Sequence, residues 1–247
     1  MKKLRLAIIG LTACSGCQLS LLNCEEELPG LLDLFEFHLF PMACSPALLE
    51  GEYDAALVEG CVSTPHEREL LLELRKRSQY LIALGTCAVW GGVAALRNGE
   101  DREVLRQQVY GQSRIACETA EPQPLRSVVR VDAVINGCPP EKNELLGLLA
   151  DLARGTLPAE IDYPVCTECR MRENLCLLTE GDKLCLGLLT SGGCKARCPS
   201  MAVPCEGCRG PVPEANLAEA MELYAQKGFD RITVLERLCR FYPEWKL

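Results

Sequence analysis

The sequence lacks the features that mark membrane, secreted and nucleotide-binding proteins. No apolar run approaches the ~20 residues that cross a bilayer. No signal-peptide core with a small-residue cleavage site accompanies the first strand-like run, residues 4–9. Neither a GxGxxG nor a GxxxxGKS/T motif follows that run, so a pyridine nucleotide or flavin is expected on another subunit. These absences predict a cytoplasmic chain without a membrane span.

The sequence also has little positive charge. It carries 26 Lys and Arg against 34 Asp and Glu, a formal net charge of −8 at pH 7, so nucleic acid is not expected as a partner. One basic run, residues 75–77, follows an apolar helical segment and is predicted to be a solvated helix end. His38 and His66 are the two histidines, and structural roles are predicted for both.

Cysteine, by contrast, is abundant, with 17 residues in a chain of 247. A CxxC pair lies near the start, and a second group comprises Cys166, Cys169, Cys176, Cys185, Cys194, Cys198, Cys205 and Cys208. In a reducing cytosol, such thiols bind metal more often than they form disulfides. Eight thiolates make two sets of four, and each set suits either a tetrahedral zinc or a 4Fe-4S cluster.

Two features of this group favour iron over zinc. The CxxxCP run from Cys194 to Pro199 matches the tail of the bacterial ferredoxin pattern. Residues 165–211 also contain little polar sequence from which a zinc-ribbon hairpin could be built. A zinc-stabilised binding module remains the less favoured alternative.

The first 155 residues alternate short apolar runs with amphipathic segments. The apolar runs predict buried strands at residues 4–9, 34–40, 55–58, 80–84 and 131–135. Helices are predicted between and after them, including residues 65–77 and 140–154. This alternation predicts an α/β fold: a flavodoxin-like doubly wound parallel sheet in residues 1–155. A smaller cysteine-rich iron-sulfur domain follows in residues 156–247, with a terminal helix predicted within residues 214–247.

Cysteines follow the ends of four predicted strands. Cys14 and Cys17 follow the first strand, Cys61 the third, Cys87 the fourth and Cys138 the fifth. Because the carboxyl ends of parallel strands meet at one edge, Cys14, Cys17, Cys87 and Cys138 are predicted to converge as a third set of four. Glycines flank three of these four and allow backbone N–H groups to approach an anionic cluster.

These segments resemble the small, electron-transferring subunit of nickel-iron hydrogenases. The resemblance rests on the first CxxC pair, Val58-Glu59-Gly60, Gly85-Thr86-Cys87-Ala88, Gly137-Cys138-Pro139-Pro140 and the order of the later cysteines. The resemblance covers about residues 4–211. Within that family, the chain is similar to the F420-non-reducing, sulfhydrogenase delta and NAD(P)-linked groups.

The resemblance implies three 4Fe-4S clusters held by iron-ligating cysteines. The implied proximal set is Cys14, Cys17, Cys87 and Cys138. The implied distal set is Cys166, Cys169, Cys176 and Cys185, and the implied medial set is Cys194, Cys198, Cys205 and Cys208. Two-cluster ferredoxins exchange their fourth ligands between sites, so an exchange that moves Cys198 stays open.

The implied function is that of a small subunit in a cytoplasmic nickel-iron hydrogenase complex. Hydrogen is oxidised, or protons are reduced, at the nickel-iron site of a large partner subunit, so this chain carries no catalytic residue. It relays single electrons to a further acceptor subunit that is flavin- and NAD(P)-linked or ferredoxin-linked. The alternative is a relay subunit of a non-hydrogenase oxidoreductase.

A few residues stand outside these sets. Glu59 either contributes to a subunit interface or proton route, or is a structural acid. The remaining cysteines are expected to pack as small apolar groups: Cys24, Cys44, Cys61, Cys117 and Cys239.

Overall fold

The computed structural model describes residues 3–44, 49–111, 113 and 118–245, so Cys117 lies outside the described residues. The described strands are β1 (Leu4–Gly10), β2 (Phe35–Leu39), β3 (Tyr53–Glu59), β4 (Ser78–Leu84) and β5 (Ala133–Ile135). They pair in parallel in the order β2-β1-β3-β4-β5. This is the flavodoxin-like doubly wound order, and it confirms the predicted fold class. No helix in the described ranges combines the length and apolarity that a membrane crossing needs.

Helices flank the sheet and continue into the cysteine-rich part of the chain. They are α1 (Gly16–Leu22), α2 (Leu28–Leu34), α3 (Pro65–Arg77), α4 (Gly85–Trp90), α5 (Arg102–Tyr110), α6 (Lys142–Ala153), α7 (Val165–Met171), α8 (Arg197–Ser200), α9 (Leu217–Gln226) and α10 (Arg231–Cys239). The helix predicted at residues 65–77 is α3, which begins with a capping box. The Thr64 hydroxyl accepts from the Glu67 backbone N–H at 3.1 Å, and the Glu67 carboxylate accepts from the Thr64 backbone N–H at 3.0 Å.

The sheet carries an apolar core on each face. Leu57 lies in one buried cluster with Leu148 of α6, whereas its neighbour Val58 lies in another with Leu71 and Leu74 of α3. Consecutive strand residues point to opposite faces, so the continuous apolar runs of the sequence supply both cores. Burying a leucine of this kind contributes about 1.5–3 kcal/mol.

Residues 156–245 contain much less regular structure. Two isolated antiparallel bridges connect Pro164 with Ser191 and Thr190 with Pro211. A third apolar cluster includes Leu186 of this region, together with side chains of α9 and α10. The last part of the chain therefore packs back against the cysteine-rich loops.

The single terminal helix predicted within residues 214–247 is wrong, because the segment forms two helices. Gly228, with a φ of +83°, follows α9 in a conformation that favours glycine. Asp230 then caps α10, and its carboxylate accepts from the Thr233 backbone N–H at 2.9 Å. The helical spacing of the apolar residues was visible in the sequence, but this turn was missed.

The prediction for the basic run at residues 75–77 is wrong for its first member. Arg75 leaves 21 % of its side chain exposed and pairs with Asp132, which precedes β5. It also donates to the backbone carbonyl of Gln79 at 2.9 Å. Arg75 therefore joins α3 to the amino ends of β4 and β5, and Lys76 and Arg77 pair with Glu73 at the surface.

Candidate functional site

The carboxyl ends of β1, β3, β4 and β5 form one edge of the sheet, and four cysteines meet there. Burial, followed by neighbouring groups that include Cys87 and Cys14, raises the pKa of the Cys138 thiol to about 11. Burial also raises the pKa of Cys17, and Cys87 and Cys138 are among the groups that add to this effect. The structure thus brings all four residues of the predicted proximal set within electrostatic reach of one another.

Glycines lie beside these sulfurs, and because glycine has no side chain, the sulfurs have room at this edge. A methyl group at Gly85 would lie 2.3 Å from Cys17 Sγ, and the φ of +82° at this glycine also disfavours a side chain. A methyl group at Gly92 would lie 3.0 Å from Cys87 Sγ. The edge is therefore lined by backbone atoms. A bulky anionic cluster requires such a surface, because backbone N–H groups can then donate hydrogen bonds to its sulfurs.

Glu59 supports the start of the CxxC helix from the end of β3. Its side chain is buried, and its carboxylate accepts from the backbone N–H groups of Cys17 at 3.0 Å and Gln18 at 3.2 Å. The Gln18 side-chain amide donates a third hydrogen bond at 3.0 Å. These contacts favour the structural alternative for Glu59, because they satisfy free N–H groups in the first turn of α1.

Cysteines outside the three sets differ in their surroundings. Cys61 is buried at the same edge, donates its S–H to the Thr12 carbonyl at 3.4 Å, and has its pKa raised to about 12, first by burial and then by Cys87. Cys24 is buried as expected. Cys44 is exposed, so the prediction that it packs as a small apolar group is wrong.

The predicted distal set also comes together. Cys166 and Cys169 lie on α7, and burial followed by Cys185, Cys169 and Cys176 raises the pKa of Cys166 to about 12. A methyl group at Gly187 would lie 3.5 Å from Cys166 Sγ and 3.7 Å from Cys185 Sγ. The sulfurs of Cys166 and Cys185 therefore lie beside a second space that a glycine leaves open.

The predicted medial set lines a cavity of about 310 Å³ between the sheet edge and the tail. Its cysteines are Cys194, Cys198, Cys205 and Cys208, and Cys138 of the proximal set borders the same cavity. This placement favours grouping the tail cysteines in chain order, with Cys198 beside its chain neighbours. Cys198 is also among the groups that raise the pKa of Cys208, for which burial is the main cause.

The spacing of the sulfurs bears on the kind of metal site. In the described ranges, no three His, Cys, Asp or Glu side chains converge as the ligands of a single metal ion do. A tetrahedral zinc with Zn–S bonds of about 2.3 Å would hold its sulfurs about 3.8 Å apart. A 4Fe-4S cluster instead places a cage of four irons and four sulfides between its thiolates. Within the described residues, the sulfurs are therefore not arranged as the ligands of one zinc ion.

Two buried charged residues near the medial set were missed from the sequence. Arg209 is 2 % exposed and forms a bidentate pair with Glu144 of α6, at 2.7 and 2.6 Å. Glu168 of α7 accepts from the backbone N–H groups of Gly193 at 2.8 Å and Ala196 at 3.0 Å. Arg209 follows Cys208 directly, and this adjacency was the only signal in the sequence, because burial of a charge depends on tertiary packing.

Comparisons with known proteins agree with this geometry. A family model described as NADH ubiquinone oxidoreductase, 20 Kd subunit, matches residues 14–152. The delta subunit of sulfhydrogenase 2 from Pyrococcus furiosus is 41% identical over 242 residues, which cover 98% of this chain and 100% of that protein. A subunit of the F420-non-reducing hydrogenase vhu from Methanococcus voltae is 33% identical, covering 97% of this chain and 94% of that protein.

A solved structure is similar in both sequence and fold. A chain in the crystal structure of an NAD⁺-reducing NiFe-hydrogenase in the H2-reduced state superposes with a TM-score of 0.57 at 31% sequence identity. The superposition covers 64% of this chain and 96% of that one. The chain therefore belongs to the NADH ubiquinone oxidoreductase 20 kDa subunit family and, within it, to the small subunits of nickel-iron hydrogenases.

Proposed function

We propose that this chain holds three 4Fe-4S clusters and relays single electrons between the nickel-iron site of a large partner subunit and a further acceptor subunit. One observation carries the proposal: the three cysteine sets form a continuous series in space. Cys138 of the proximal set borders the medial cavity, and Cys208 of the medial set is among the groups that raise the pKa of the Cys138 thiol. At the other end, the Cys205 backbone N–H donates to Cys185 Sγ of the distal set at 3.2 Å.

These contacts support the spatial order proximal, medial, distal, although the distal cysteines precede the medial ones in the chain. The clusters supply reversible one-electron chemistry when bound. The protein supplies thiolates, of which those of Cys17 and Cys205 are buried, and N–H donors to sulfur such as that of Cys205. Because burial raises the pKa of thiols such as Cys17 and Cys166, binding of iron must displace protons from them.

Metal analysis of the complex, purified without oxygen, tests the cluster assignment. We expect about twelve irons per copy of this chain from three four-iron clusters, in addition to the iron held by the nickel-iron site and by any acceptor subunit. The variants Cys87→Ala, Cys198→Ala and Cys176→Ala each remove one proposed ligand, from the proximal, medial and distal sets respectively. Each is expected to lose between one and four irons and to change one electron paramagnetic resonance signal.

Cys24→Ala is the matched control, because Cys24 is a buried cysteine outside the three sets. It is expected to retain all iron. A wild-type complex with eight or fewer irons per chain, or with zinc in their place, contradicts the assignment. If Cys198→Ala alters the signal of the distal cluster instead, the fourth ligands are exchanged between the two tail sites.

A relay subunit of a non-hydrogenase oxidoreductase is the second candidate, because the matching family model carries the name of a quinone reductase subunit. That match ends at residue 152, whereas the hydrogenase subunits match almost the whole chain, including the tail cysteines. Nickel in the co-purified partner and hydrogen-dependent reduction of methyl viologen are expected for a hydrogenase. A nickel-free complex that is inactive with hydrogen supports the second candidate.

We also propose a cytoplasmic complex whose acceptor is NAD(P)- or ferredoxin-linked. No disulfide joins the cysteines of the described ranges, as is typical of a reducing compartment, and this supports the location. The NAD⁺-reducing hydrogenase among the similar structures supports the acceptor. Cell fractionation and identification of every co-purified chain test both points. A partner without a flavin, nicotinamide or ferredoxin-type module contradicts the acceptor assignment.

A further inference from the structure

Arg209 stands out among the charged residues because each nitrogen of its buried guanidinium donates a hydrogen bond inside the protein. Its side chain is 2 % exposed, and both terminal nitrogens donate to the carboxylate of Glu144. Nη1 also donates to the backbone carbonyl of Asn136 at 2.9 Å, and Nε donates to that of Ser191 at 3.2 Å. Such a planar fork satisfies several acceptors at once, which a lysine cannot do.

Two of these acceptors, Asn136 and Ser191, belong to segments that carry cysteines of the proposed clusters, and so does Arg209. Asn136 precedes Cys138 by two positions, and Ser191 precedes Cys194 by three. Arg209 itself follows Cys208. One side chain therefore joins the sheet edge to both halves of the medial set.

The guanidinium of Arg209 packs closely against Gly193. A methyl group at Gly193 would lie 2.4 Å from Arg209 Nη2 and 2.4 Å from a carboxylate oxygen of Glu144. The φ of Gly193 is +105°, and its backbone N–H is held by Glu168 at 2.8 Å. Glycine is needed here because the Arg209–Glu144 pair occupies the position of a side chain.

We propose that Arg209 and Glu144 position the medial cysteines and tune the reduction potential of the cluster that they hold. This inference rests on the proposed function, since it requires a cluster at the medial set. Reduction adds one negative charge to a cluster. A buried cation beside it therefore favours the reduced state, and a buried carboxylate disfavours it.

The two members of the pair consequently have opposite expected effects. Arg209→Met removes the cation and leaves the carboxylates of Glu144 and Glu168 near the site, so the medial potential should fall. Glu144→Gln removes an anion, so the potential should rise. A unit charge about 10 Å away at an effective dielectric constant of about 20 changes the reduction equilibrium about tenfold. For one electron, a tenfold change corresponds to about 59 mV.

The experiment is a redox titration of the whole complex, followed by electron paramagnetic resonance of the medial cluster. Arg209→Lys keeps the positive charge but loses the planar guanidinium. The medial potential in this variant should stay close to that of the wild type. If Arg209→Met fails to assemble, Glu144→Gln and Arg209→Lys still decide the question. Unchanged potentials in Glu144→Gln, or a shift toward lower potential, overturn the inference.

Arg75→Met provides a matched control, because Arg75 is also a mostly buried arginine paired with a carboxylate, that of Asp132. It lies at the amino ends of the strands, the opposite edge of the sheet from the cysteines. It should lower stability without shifting the medial potential, and an equal shift in this variant overturns the inference. Iron analysis separates the two proposals: wild-type complex without a medial cluster contradicts the proposed function, whereas full iron content with insensitive potentials contradicts this inference alone.

Discussion

In residues 3–155, parallel strands pair through regular ladders, and an apolar core covers each face of the sheet. In residues 156–245, short helices, turns and isolated bridges replace the ladders, and the apolar cluster is smaller. Eight of the twelve proposed iron ligands lie in this second part. From this difference we expect that the sheet holds its cysteines in position by itself, whereas the tail would depend on the proposed clusters and on a few buried polar contacts.

Removal of iron is the strongest test of this comparison. Because metal binding contributes to folding where the protein alone cannot fix the ligands, the iron-free chain should lose structure in residues 156–245. Amides of β1, β3 and β4 should remain protected from hydrogen exchange, measured by mass spectrometry. Equal protection in both parts of the iron-free chain would show that the tail folds without its clusters.

Replacement of Arg209, the buried cation between the sheet edge and the tail cysteines, is expected to have the next largest effect on stability. Arg209→Met leaves Glu144 buried and unpaired, which should lower the free energy of unfolding by about 3–5 kcal/mol. Chemical denaturation of the loaded protein measures this change. The double variant with Glu144→Gln should recover much of the loss, and a double variant as unstable as the single one would show that charge pairing is not the cause.

A cavity in the apolar core of the sheet should destabilise residues 3–155 alone. Leu148 of α6 is 1 % exposed, and Leu148→Ala is expected to cost about 2–5 kcal/mol. Iron content and the signals of the medial and distal clusters should stay unchanged under conditions where the protein is folded. Loss of tail iron in this variant would show that the two parts are more strongly coupled than the comparison implies.

The smallest effect on stability is expected from the removal of one hydroxyl group in the tail. Tyr224 of α9 is buried, and its hydroxyl donates to the backbone carbonyl of Cys185 at 3.0 Å. Tyr224→Phe leaves that carbonyl without this donor and should cost about 1 kcal/mol. Thermal unfolding compares it with Tyr242→Phe, whose hydroxyl bonds Glu244 at the surface and should matter less. Equal losses would remove the distinction between buried and exposed hydroxyls.

Much of the fold was predictable because its signals are local. The apolar run at residues 80–84 matches β4, and Ser63-Thr64-Pro65 with Glu67 marks the start of α3. The break near Gly228 was missed, since a short turn between two amphipathic helices leaves the apolar spacing on both sides intact. The burial of Arg75 was missed because the sequence of a charged helix end is the same whether its side chains contact water or a carboxylate.

The sequence by itself determined the cysteine inventory, the strand order consistent with a doubly wound sheet, and the meeting of Cys14, Cys87 and Cys138 at one edge. These follow from chain-local patterns and from the rule that parallel strands share their carboxyl ends. Tertiary structure alone decided that Cys138 borders the cavity lined by the tail cysteines and that Arg209 is buried against Glu144. Such contacts join residues 65 positions apart, and their energies depend on burial and distance, which no local pattern encodes.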